Sequence, residues 1–426
     1  MLECIKLNVV GPAPSMGLEF APRLNFLIGD NGLGKTFLLD IAWWALTRTW
    51  AQMPASPPRD HGDPPQIEYR YGTSNGTSHE FLSRFDRSKQ IWLGEQRRPP
   101  PPGIVIYAQV DGGISVWDPA RNYWRDYNSD GPYRPSAFVF RSDEIWDGLP
   151  RHEPKKQCNG LIADWAAWQR EKGEAYDQLM RVLRALSPSA NELLAPGALT
   201  RVSLEDVRDH PTLVMPYGQE VALVHASAGM RRIVALSYLL VWTWQEHLHA
   251  CKILGTAPAR EIMFLIDEIE AHLHPLWQRC IVPALLDVME ALTGERTIPV
   301  QLIASTHSPL VLASVEPHFD NEQDAVFHLN MQDQSVTLER VAWAKQGDVT
   351  GWLVSDVFGL RQARSIAAER AIEAAEAWMR GDKDELPDGL ESAALIHSEL
   401  ERVLAGHDPF WPRWIVWVEK QAGAPS

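Results

Sequence analysis

One segment near the start of the chain has residue types and spacing that suit the binding of phosphate groups. It matches G-x-x-x-x-G-K-[ST] in full, with an apolar strand candidate before it and an apolar helix candidate after it. Glycines let the backbone curl so that successive N–H groups point at phosphate oxygens, and the helix N-terminus adds partial positive charge. Lys35 would reach the β- and γ-phosphates of ATP, and Thr36 would place its hydroxyl on Mg²⁺. The residues expected to contact the nucleotide are Gly29, Asp30, Asn31, Gly32, Leu33, Gly34, Lys35 and Thr36.

A second segment, Glu261 to Glu268, is an apolar run that ends in two carboxylates. A continuously hydrophobic strand is typical of a parallel sheet covered on both faces, and ligands bind at the carboxyl edge of such sheets. Asp267 is expected to hold Mg²⁺, usually through water, and Glu268 to polarise the water that attacks the γ-phosphate. Alone, two acids after a strand also fit a solvated helix start. Together with the glycine-rich segment they favour triphosphate hydrolysis.

Ser227 and Gly229 precede an apolar helical stretch, Ile233 to Trp244. At a helix start the serine hydroxyl, the free backbone N–H groups and the helix dipole form a second anion site. We do not expect one chain to fold both anion sites around the same nucleotide. Read alone, these two residues also fit a simple helix cap.

His307 follows a strand candidate that spans Pro299 to Ser305. If this strand ends at the same sheet edge as the other two motifs, the imidazole lies close enough to contact a γ-phosphate as it leaves. A capped loop histidine is the alternative interpretation.

Apolar spacing predicts the elements that position these groups. The expected first strands are Ile5–Val10, Leu18–Phe20 and Leu24–Ile28. A helix from Lys35 to about Thr49 should follow. The next hundred residues contain proline clusters between short apolar runs, and proline cannot donate to a sheet ladder. These runs, which predict a small antiparallel β insert, are Ile67–Tyr71, Ile104–Gln109 and Ile114–Trp117.

The middle and the end of the chain are expected to be helical. Asn159 can cap a helix from Leu161 to about Leu186, which at 1.5 Å per residue is ~39 Å long and too short for a coiled-coil arm. A second α/β block is expected over residues 221–330. The acidic, alanine-rich tail predicts helices at Ser365–Arg380 and Glu391–Ala405.

Composition excludes several classes of protein. The chain has 426 residues, 45% of them hydrophobic, and 40 Lys+Arg against 55 Asp+Glu give a net charge of −15. It is therefore neither disordered nor collagen-like, and its longest apolar stretch, around Ala235 to Trp244, is far short of the ~20 residues of a membrane span. The four cysteines form no CxxC pair, which argues against a disulfide framework or a zinc knuckle. We expect a cytoplasmic protein without membrane contact.

The acidic balance limits any contact with nucleic acid to local patches. The basic patches Arg97-Arg98 and Arg151–Lys156 are short, and each also fits a solvated loop. Eighteen tryptophans suit core or interface packing, with base stacking as the alternative. Pairs with helical spacing are Trp43/Trp44, Trp165/Trp168 and Trp414/Trp417.

Taken in order, the four motifs resemble those of the ATP-binding-cassette (ABC) ATPases of the RecF, SMC and OLD type. The segment Asp267 to Pro275 reads D-E-I-E-A-H-L-H-P and is similar to the D-E-x-E-x-x-L-H-P of the OLD-like and RecF-like branch. The resemblance implies an α/β fold, a P-loop NTPase of the ABC ATPase type, with a mixed sheet, an antiparallel β insert and a helical lobe. The expected divisions are an ATPase core at 1–50 and 215–340, an inserted β and helical lobe at 51–214, and a helical tail at 341–426.

The same resemblance implies roles for individual residues. Ser227 and Gly229 would contact ATP bound by a second subunit, so that two heads arranged head to tail form a homodimer or a higher oligomer. Glu268 would be the catalytic base and His307 the switch histidine, acting with Lys35.

Two further features follow from the family pattern. Gln109 is the best candidate for the glutamine that follows an early strand in such heads and contacts the nucleotide site. Met230 stands where the transporter-like signature has a glutamine, so the contacts at the subunit interface must differ in detail.

Weaker site patterns also occur. His272 and His274 invite a zinc interpretation, but alternate residues without a nearby cysteine rarely build a zinc site. Asp382-Lys383-Asp384 matches the D-x-D of a metal-dependent Toprim nuclease by letter, in polar, turn-like surroundings that disfavour a strand-end metal site.

We therefore expect an ATPase that regulates a separate effector, a nuclease or a toxin, as standalone heads of this branch do in bacterial anti-phage systems. A RecF-like DNA-repair ATPase that binds DNA directly is one alternative. Others are an ATP-dependent scaffold that docks through its tryptophan-rich tail and, less favoured, a transporter cassette.

Overall fold

The computed structural model describes residues 1–58, 63–73, 76–94, 100–127, 131–152, 155–294, 298–382 and 386–422. Arg97-Arg98 and two residues of the D-x-D match, Lys383 and Asp384, lie outside these ranges, as do the side chains of the second basic patch. The chain divides into two compact units, Met1–Gly347 and Asp348–Ser426. Each unit is described by itself.

The first unit contains all of the described strands. In chain order they are β1 (Leu2–Asn8), β2 (Ser15–Glu19), β3 (Leu24–Gly29), β4 (Gln66–Gly72), β5 (Ser78–Asp86), β6 (Ile91–Leu93), β7 (Ile104–Ala108), β8 (Ile114–Trp117), β9 (Arg125–Tyr127), β10 (Gly131–Tyr133), β11 (Phe138–Phe140), β12 (Pro150–His152), β13 (Lys155–Lys156), β14 (Ala195–Pro196), β15 (Thr212–Val214), β16 (Glu220–Ala222), β17 (Ile262–Ile266), β18 (Val300–Ser305), β19 (Asp324–Gln332) and β20 (Ser335–Val341).

The α-helices of the first unit lie between groups of these strands. They are α1 (Lys35–Thr47), α2 (Pro119–Asn122), α3 (Ser142–Asp147), α4 (Leu161–Glu171), α5 (Glu174–Ala185), α6 (Ala228–Leu254), α7 (Pro275–Gln278), α8 (Ile281–Leu286), α9 (Val288–Thr293) and α10 (Pro309–Val315).

A mixed sheet forms the centre of the first unit, with strand order β11-β8-β7-β17-β18-β3-β19-β20. The strands from β7 to β19 in this order are parallel to their neighbours, and antiparallel strands flank them on both sides. Every residue of β3, β7, β17 and β18 is buried, as a sheet covered on both faces requires. The expected fold class, an α/β P-loop fold with a mixed sheet, is confirmed.

A second, antiparallel sheet has the order β2-β1-β4-β5-β6. Along β4 buried residues alternate with half-buried ones, so one face of this sheet covers the core. Helix α1 lies in that core, where Trp43 and Trp44 are buried and the ring of Trp44 packs 6.0 Å from that of Tyr69. These tryptophans therefore pack in the core, which was the preferred interpretation of their spacing.

Strands β7 and β8 correct one expectation. The sequence led us to place Ile104–Gln109 and Ile114–Trp117 in the antiparallel insert, but β7 pairs in parallel with β17 and both strands belong to the central sheet. The partner of β7 lies more than 150 residues away in the sequence, so local patterns cannot reveal the pairing. The insert that the structure describes is the set β4, β5 and β6, which extends the sheet begun by β1 and β2.

The long helix expected from Leu161 to Leu186 is two helices, α4 and α5. Lys172 adopts a left-handed backbone conformation with φ 50° and its N–H bonds to the carbonyl of Trp168, which ends α4. Gly173 is the N-cap of α5, which begins at Glu174. Asn159 does not cap α4, because its amide donates to Asp164 at 2.9 Å and Gly160 occupies the cap position.

The second unit is helical. Its helices are α11 (Val349–Leu353), α12 (Ile366–Arg380), α13 (Ala393–Val403) and α14 (Trp411–Ala422). Trp414 is fully buried in its core beside Ile372, Ile396 and Leu400. Trp414 therefore stabilises this unit and is not available as a docking surface.

Across the described ranges, no helix combines the length and the apolar character needed to cross a membrane.

Candidate nucleotide-binding site

Three parallel strands bring the predicted motifs to one edge of the central sheet. Strand β18 lies between β17 and β3, and the register pairs Ile266 with Ala304 and Ser305 with Leu27. The glycine-rich segment follows β3, the two acids follow β17, and His307 follows β18 by two residues. Neighbouring parallel strands end together, so the structure places these groups along a single edge.

The glycine-rich segment curls into the start of α1. Gly34 has φ 100°, and a Cβ atom there would lie 2.7 Å from the ring of Pro12, so no larger residue fits. The Nζ of Lys35 donates to the carbonyls of Gly29 at 2.8 Å and Asp30 at 2.9 Å. Burial lowers the pKa of Lys35, while the nearby carboxylates, Asp267 foremost, oppose that shift. The ammonium thus lies inside the loop, where phosphate groups would meet it.

The predicted metal ligands are in direct contact. The Oγ1 of Thr36 donates to Oδ2 of Asp267 at 2.8 Å, and the Oγ of Ser305 donates to Oδ1 of the same carboxylate at 2.7 Å. Asp267 is buried, whereas Thr36 is exposed. Hydroxyl and carboxylate oxygens are the donors that Mg²⁺ prefers, so this pair fits the ion implied by the motif.

Glu268 lies next to this pair in a constrained backbone conformation. Its φ is 45°, in the left-handed region, and its N–H donates to Oγ of Ser305 at 2.7 Å. The guanidinium of Arg232 donates to the carbonyls of Asp267 at 3.0 Å and Glu268 at 3.3 Å. In the described structure the carboxylate of Glu268 makes no hydrogen bond, so it is free to bind water.

His307 is half-buried and held by its backbone. Its N–H donates to Oε1 of Glu270 at 2.5 Å. Its Nε2 is buried without a hydrogen-bond partner among the described residues. A buried imidazole nitrogen without a partner costs free energy unless a ligand supplies one. A phosphate oxygen of bound nucleotide is a fitting partner.

Gln109 directly follows Ala108, the last residue of β7. The N–H of Asp267 donates to the carbonyl of Ala108 at 2.9 Å, so Gln109 lies beside the end of β17. The Gln109 side chain is buried and its Nε2 donates to Oγ of Ser115 at 3.4 Å. The structure thus places Gln109 next to the site, while its role at the nucleotide stays a prediction.

Ser227 and Gly229 lie at the start of the 27-residue helix α6. The Oγ of Ser227 accepts from the N–H of Met230 at 3.4 Å, and its side chain is exposed. A Cβ atom on Gly229 would lie 2.5 Å from the carbonyl oxygen of His272, so close packing requires glycine here. No hydrogen bond of the described residues joins Ser227 to the glycine-rich segment of its own chain. His274 caps α7, with Nδ1 accepting from Leu276 at 3.3 Å.

Three residues of the site lie inside segments that the sequence motifs single out, but no individual role was predicted for them. The resemblance implies only that the segment Glu270 to Pro275 faces the partner subunit's site. Ser305 joins Asp267 to Glu268, Arg232 holds the carbonyls of both, and Glu270 holds His307. Their roles depend on contacts between separate loops, and no local pattern encodes these contacts.

Comparison with known proteins identifies the family of this chain. The family model described as AAA domain, putative AbiEii toxin, Type IV TA system matches residues 24–313, more than half of the chain. The Retron Vc95 probable ATPase of Vibrio cholerae is 35% identical over 180 residues, covering 41% of this chain but only 32% of that protein. Septu protein PtuA of Bacillus thuringiensis is 22% identical over 379 residues, covering 86% of each chain.

Two solved structures have weak similarity. The SMC head domain from Thermotoga maritima has 12% identity and a TM-score of 0.38, covering 80% of this chain and 99% of that one. The recombination mediator protein RecF-ATPrS has 13% identity and a TM-score of 0.38, covering 80% and 98%. From the match of the family model, this chain belongs to the AAA-domain family of putative AbiEii toxins and is an ATPase.

Proposed function

We propose that two copies of this ATPase close head to tail around ATP, and that the paired state controls a separate nuclease or toxin in anti-phage defence. The observation that carries the pairing is the exposed hydroxyl of Ser227 at the N-terminus of α6, without a hydrogen bond to the glycine-rich segment of its own chain. A helix N-terminus that presents a hydroxyl and free N–H groups suits an anion brought by another subunit.

The residues at the carboxyl edge of the central sheet would each act in ATP hydrolysis. Lys35 and the backbone N–H groups bind the phosphates, while Thr36 and Asp267 would hold Mg²⁺, which offsets the charge that develops on the phosphates. The Glu268 carboxylate orients the attacking water and accepts its proton. The Nε2 of His307 would supply a hydrogen bond to the departing γ-phosphate.

Names of relatives support the proposed context. One relative is a probable ATPase of a retron, another is a Septu protein that aligns with 86% of this chain, and the family is described as putative toxins of toxin–antitoxin systems. The net charge of −15 disfavours a head that binds nucleic acid over most of its surface. We assign the effector activity to another polypeptide on the basis of the resemblance to standalone heads of anti-phage systems.

The pairing is tested in the Glu268→Gln background, which should retain ATP and accumulate the closed dimer. Adding Ser227→Arg should return the protein to monomers in size-exclusion chromatography with ATP and Mg²⁺, while nucleotide binding persists. Ser365 supplies a matched control, because it caps α12 with the same geometry, accepting from Ala368 at 3.2 Å. Ser365→Arg should leave the dimer intact. Normal dimers with Ser227→Arg would contradict the assignment.

A further inference from the structure

The carboxylate of Glu270 bridges the loops that follow β17 and β18. Its Oε2 accepts from Oγ1 of Thr306 at 2.6 Å, and its Oε1 accepts from the N–H of His307 at 2.5 Å. The side chain is half-buried. One oxygen therefore holds Thr306 and the other holds His307, whose Nε2 is buried without a partner in the part of the chain that the structure describes.

These bonds determine the local backbone. Hydrogen bonds to an ionised carboxylate are shorter and roughly twice as strong as neutral ones. The Oγ1 of Thr306 also accepts from the N–H of Ser308 at 3.0 Å, so one carboxylate orders three consecutive residues. Because the side chain of His307 extends from this backbone, the direction of its Cα–Cβ bond depends on Glu270.

The loop that carries Glu270 also receives the start of α6. Gly229 packs against the carbonyl of His272, and Arg232 donates to the carbonyl of Glu268. A second connection runs from Ser308 to Gln278 at 2.7 Å and from Gln278 to the carbonyl of Leu273 at 2.9 Å. The position of α6 is thereby linked to the position of His307 through a single loop.

We propose that Glu270 is a positioning residue for hydrolysis, which holds the His307 ring toward the γ-phosphate and links its orientation to the seating of α6. The inference rests on the proposed role of His307 at the γ-phosphate. Because both of its oxygens bond Thr306 and His307, we assign Glu270 no contact with the nucleotide or the attacking water. Loss of its carboxylate therefore lowers turnover with little effect on ATP binding.

The test compares steady-state ATP hydrolysis by Glu270→Ala, Glu270→Gln, His307→Ala and the double variant Glu270→Ala/His307→Ala. Glu270→Ala should lower kcat about 30-fold with KM changed less than about threefold, because the ring is no longer oriented. Glu270→Gln keeps one acceptor for the N–H of His307 and should lose less than about fivefold. Glu339→Ala, an exposed change on β20, is the control and should match the wild type.

The double variant separates this inference from the proposed function. If Glu270 acts through His307, the double variant is no slower than His307→Ala alone. Losses that multiply, or an unchanged kcat in Glu270→Ala beside a slow His307→Ala, would overturn the positioning role. A wild-type rate in His307→Ala would instead refute the role of His307 itself. Should Glu270→Ala not fold, Thr306→Val and Thr306→Ser provide a second test. A lower kcat at unchanged KM in Thr306→Val but not in Thr306→Ser supports the inference. Equal kcat values in the two variants overturn it.

Discussion

Two histidines of the first unit show how this molecule treats buried polar groups in different regions. At the far end of α6, His247 uses both ring nitrogens: Nε2 accepts from the N–H of Ala259 at 2.8 Å, so Nδ1 carries the proton that it shares with Asp118 at 2.6 Å. At the carboxyl edge of the sheet, Nε2 of His307 is buried without a partner among the described residues. Both ring nitrogens of His247 are therefore satisfied within the fold, whereas the Nε2 of His307 is open to a ligand at the sheet edge.

The same contrast holds for carboxylates. The Oδ1 of Asp118 accepts from both His247 and the N–H of Ala120, which caps α2, and its Oδ2 lies 3.8 Å from Nε of Arg121. The carboxylate of Glu268 makes no hydrogen bond in the part of the chain that the structure describes, and a left-handed backbone holds it in place. Among the described residues, the carboxylate of Glu268 and the Nε2 of His307 are thus left without partners beside hydrogen-bonded neighbours, as expected of a site that binds a nucleotide.

The largest expected effect is a loss of ATP binding caused by a substitution at the sheet edge. Lys35→Ala removes the ammonium held at the carbonyls of Gly29 and Asp30 and should weaken ATP binding by at least about 100-fold. Fluorescent nucleotide titration measures this loss. The exposed change Lys345→Ala is the control. Retained affinity in Lys35→Ala would show that the nucleotide binds elsewhere.

His247→Ala should lower the stability of the fold and leave nucleotide binding unchanged. It removes an imidazole that holds Asp118 and the N–H of Ala259, and it should lower the free energy of unfolding by about 2–4 kcal/mol. The KM for ATP should stay within about twofold, because the cluster contributes to stability and not to the site. His249, exposed on the same helix, supplies the control variant. A changed KM without loss of stability would refute the comparison.

Gly229→Ala tests the junction between α6 and the site. Its Cβ would approach the carbonyl oxygen of His272 to 2.5 Å, so backbone must move. We expect stability to fall by about 1–2 kcal/mol and kcat to fall about 10-fold. Gly173→Ala, where no atom lies within 4 Å of the new methyl group, should be milder in both respects. Equal effects of the two changes would remove the role assigned to this contact.

The smallest expected effect is a pH-dependent change in the free energy of unfolding. Burial raises the pKa of Asp40 to about 6, with the neighbouring charge of Asp267 adding to the shift and the hydroxyl of Tyr107 opposing it. Since the folded state holds this proton more tightly than the unfolded chain, stability falls as the pH rises through this pKa. Asp40→Asn should therefore stabilise the nucleotide-free protein by about 1 kcal/mol at pH 8, with the gain lost near pH 4. Denaturant titrations of the wild type and Asp40→Asn at pH 8 and pH 4 measure the free energy of unfolding. No gain in stability at pH 8 would contradict the raised pKa of Asp40.

Much of the site was predictable because its residues follow continuous apolar strands. Asp267 and Glu268 after β17, and His307 after β18, were placed at a sheet edge by the rule that ligands bind where parallel strands end. The pairing of β7 with β17 was not predictable, since it joins segments more than 150 residues apart. Helix α4 stops at Lys172 although the apolar spacing continues past it, because one residue in a left-handed conformation is enough to end a helix.

The central claim is that each nucleotide is held by residues from two subunits, and mixing two inactive variants tests it most directly. Lys35→Ala supplies an intact Ser227, while Ser227→Arg supplies an intact Lys35. In a head-to-tail pair of the two, the introduced arginine side chain faces only the nucleotide-free loop of Lys35→Ala, and the other site is complete. The mixture should therefore recover up to about one quarter of wild-type ATP hydrolysis from variants that are inactive alone. A mixture as inactive as its components would contradict the shared site.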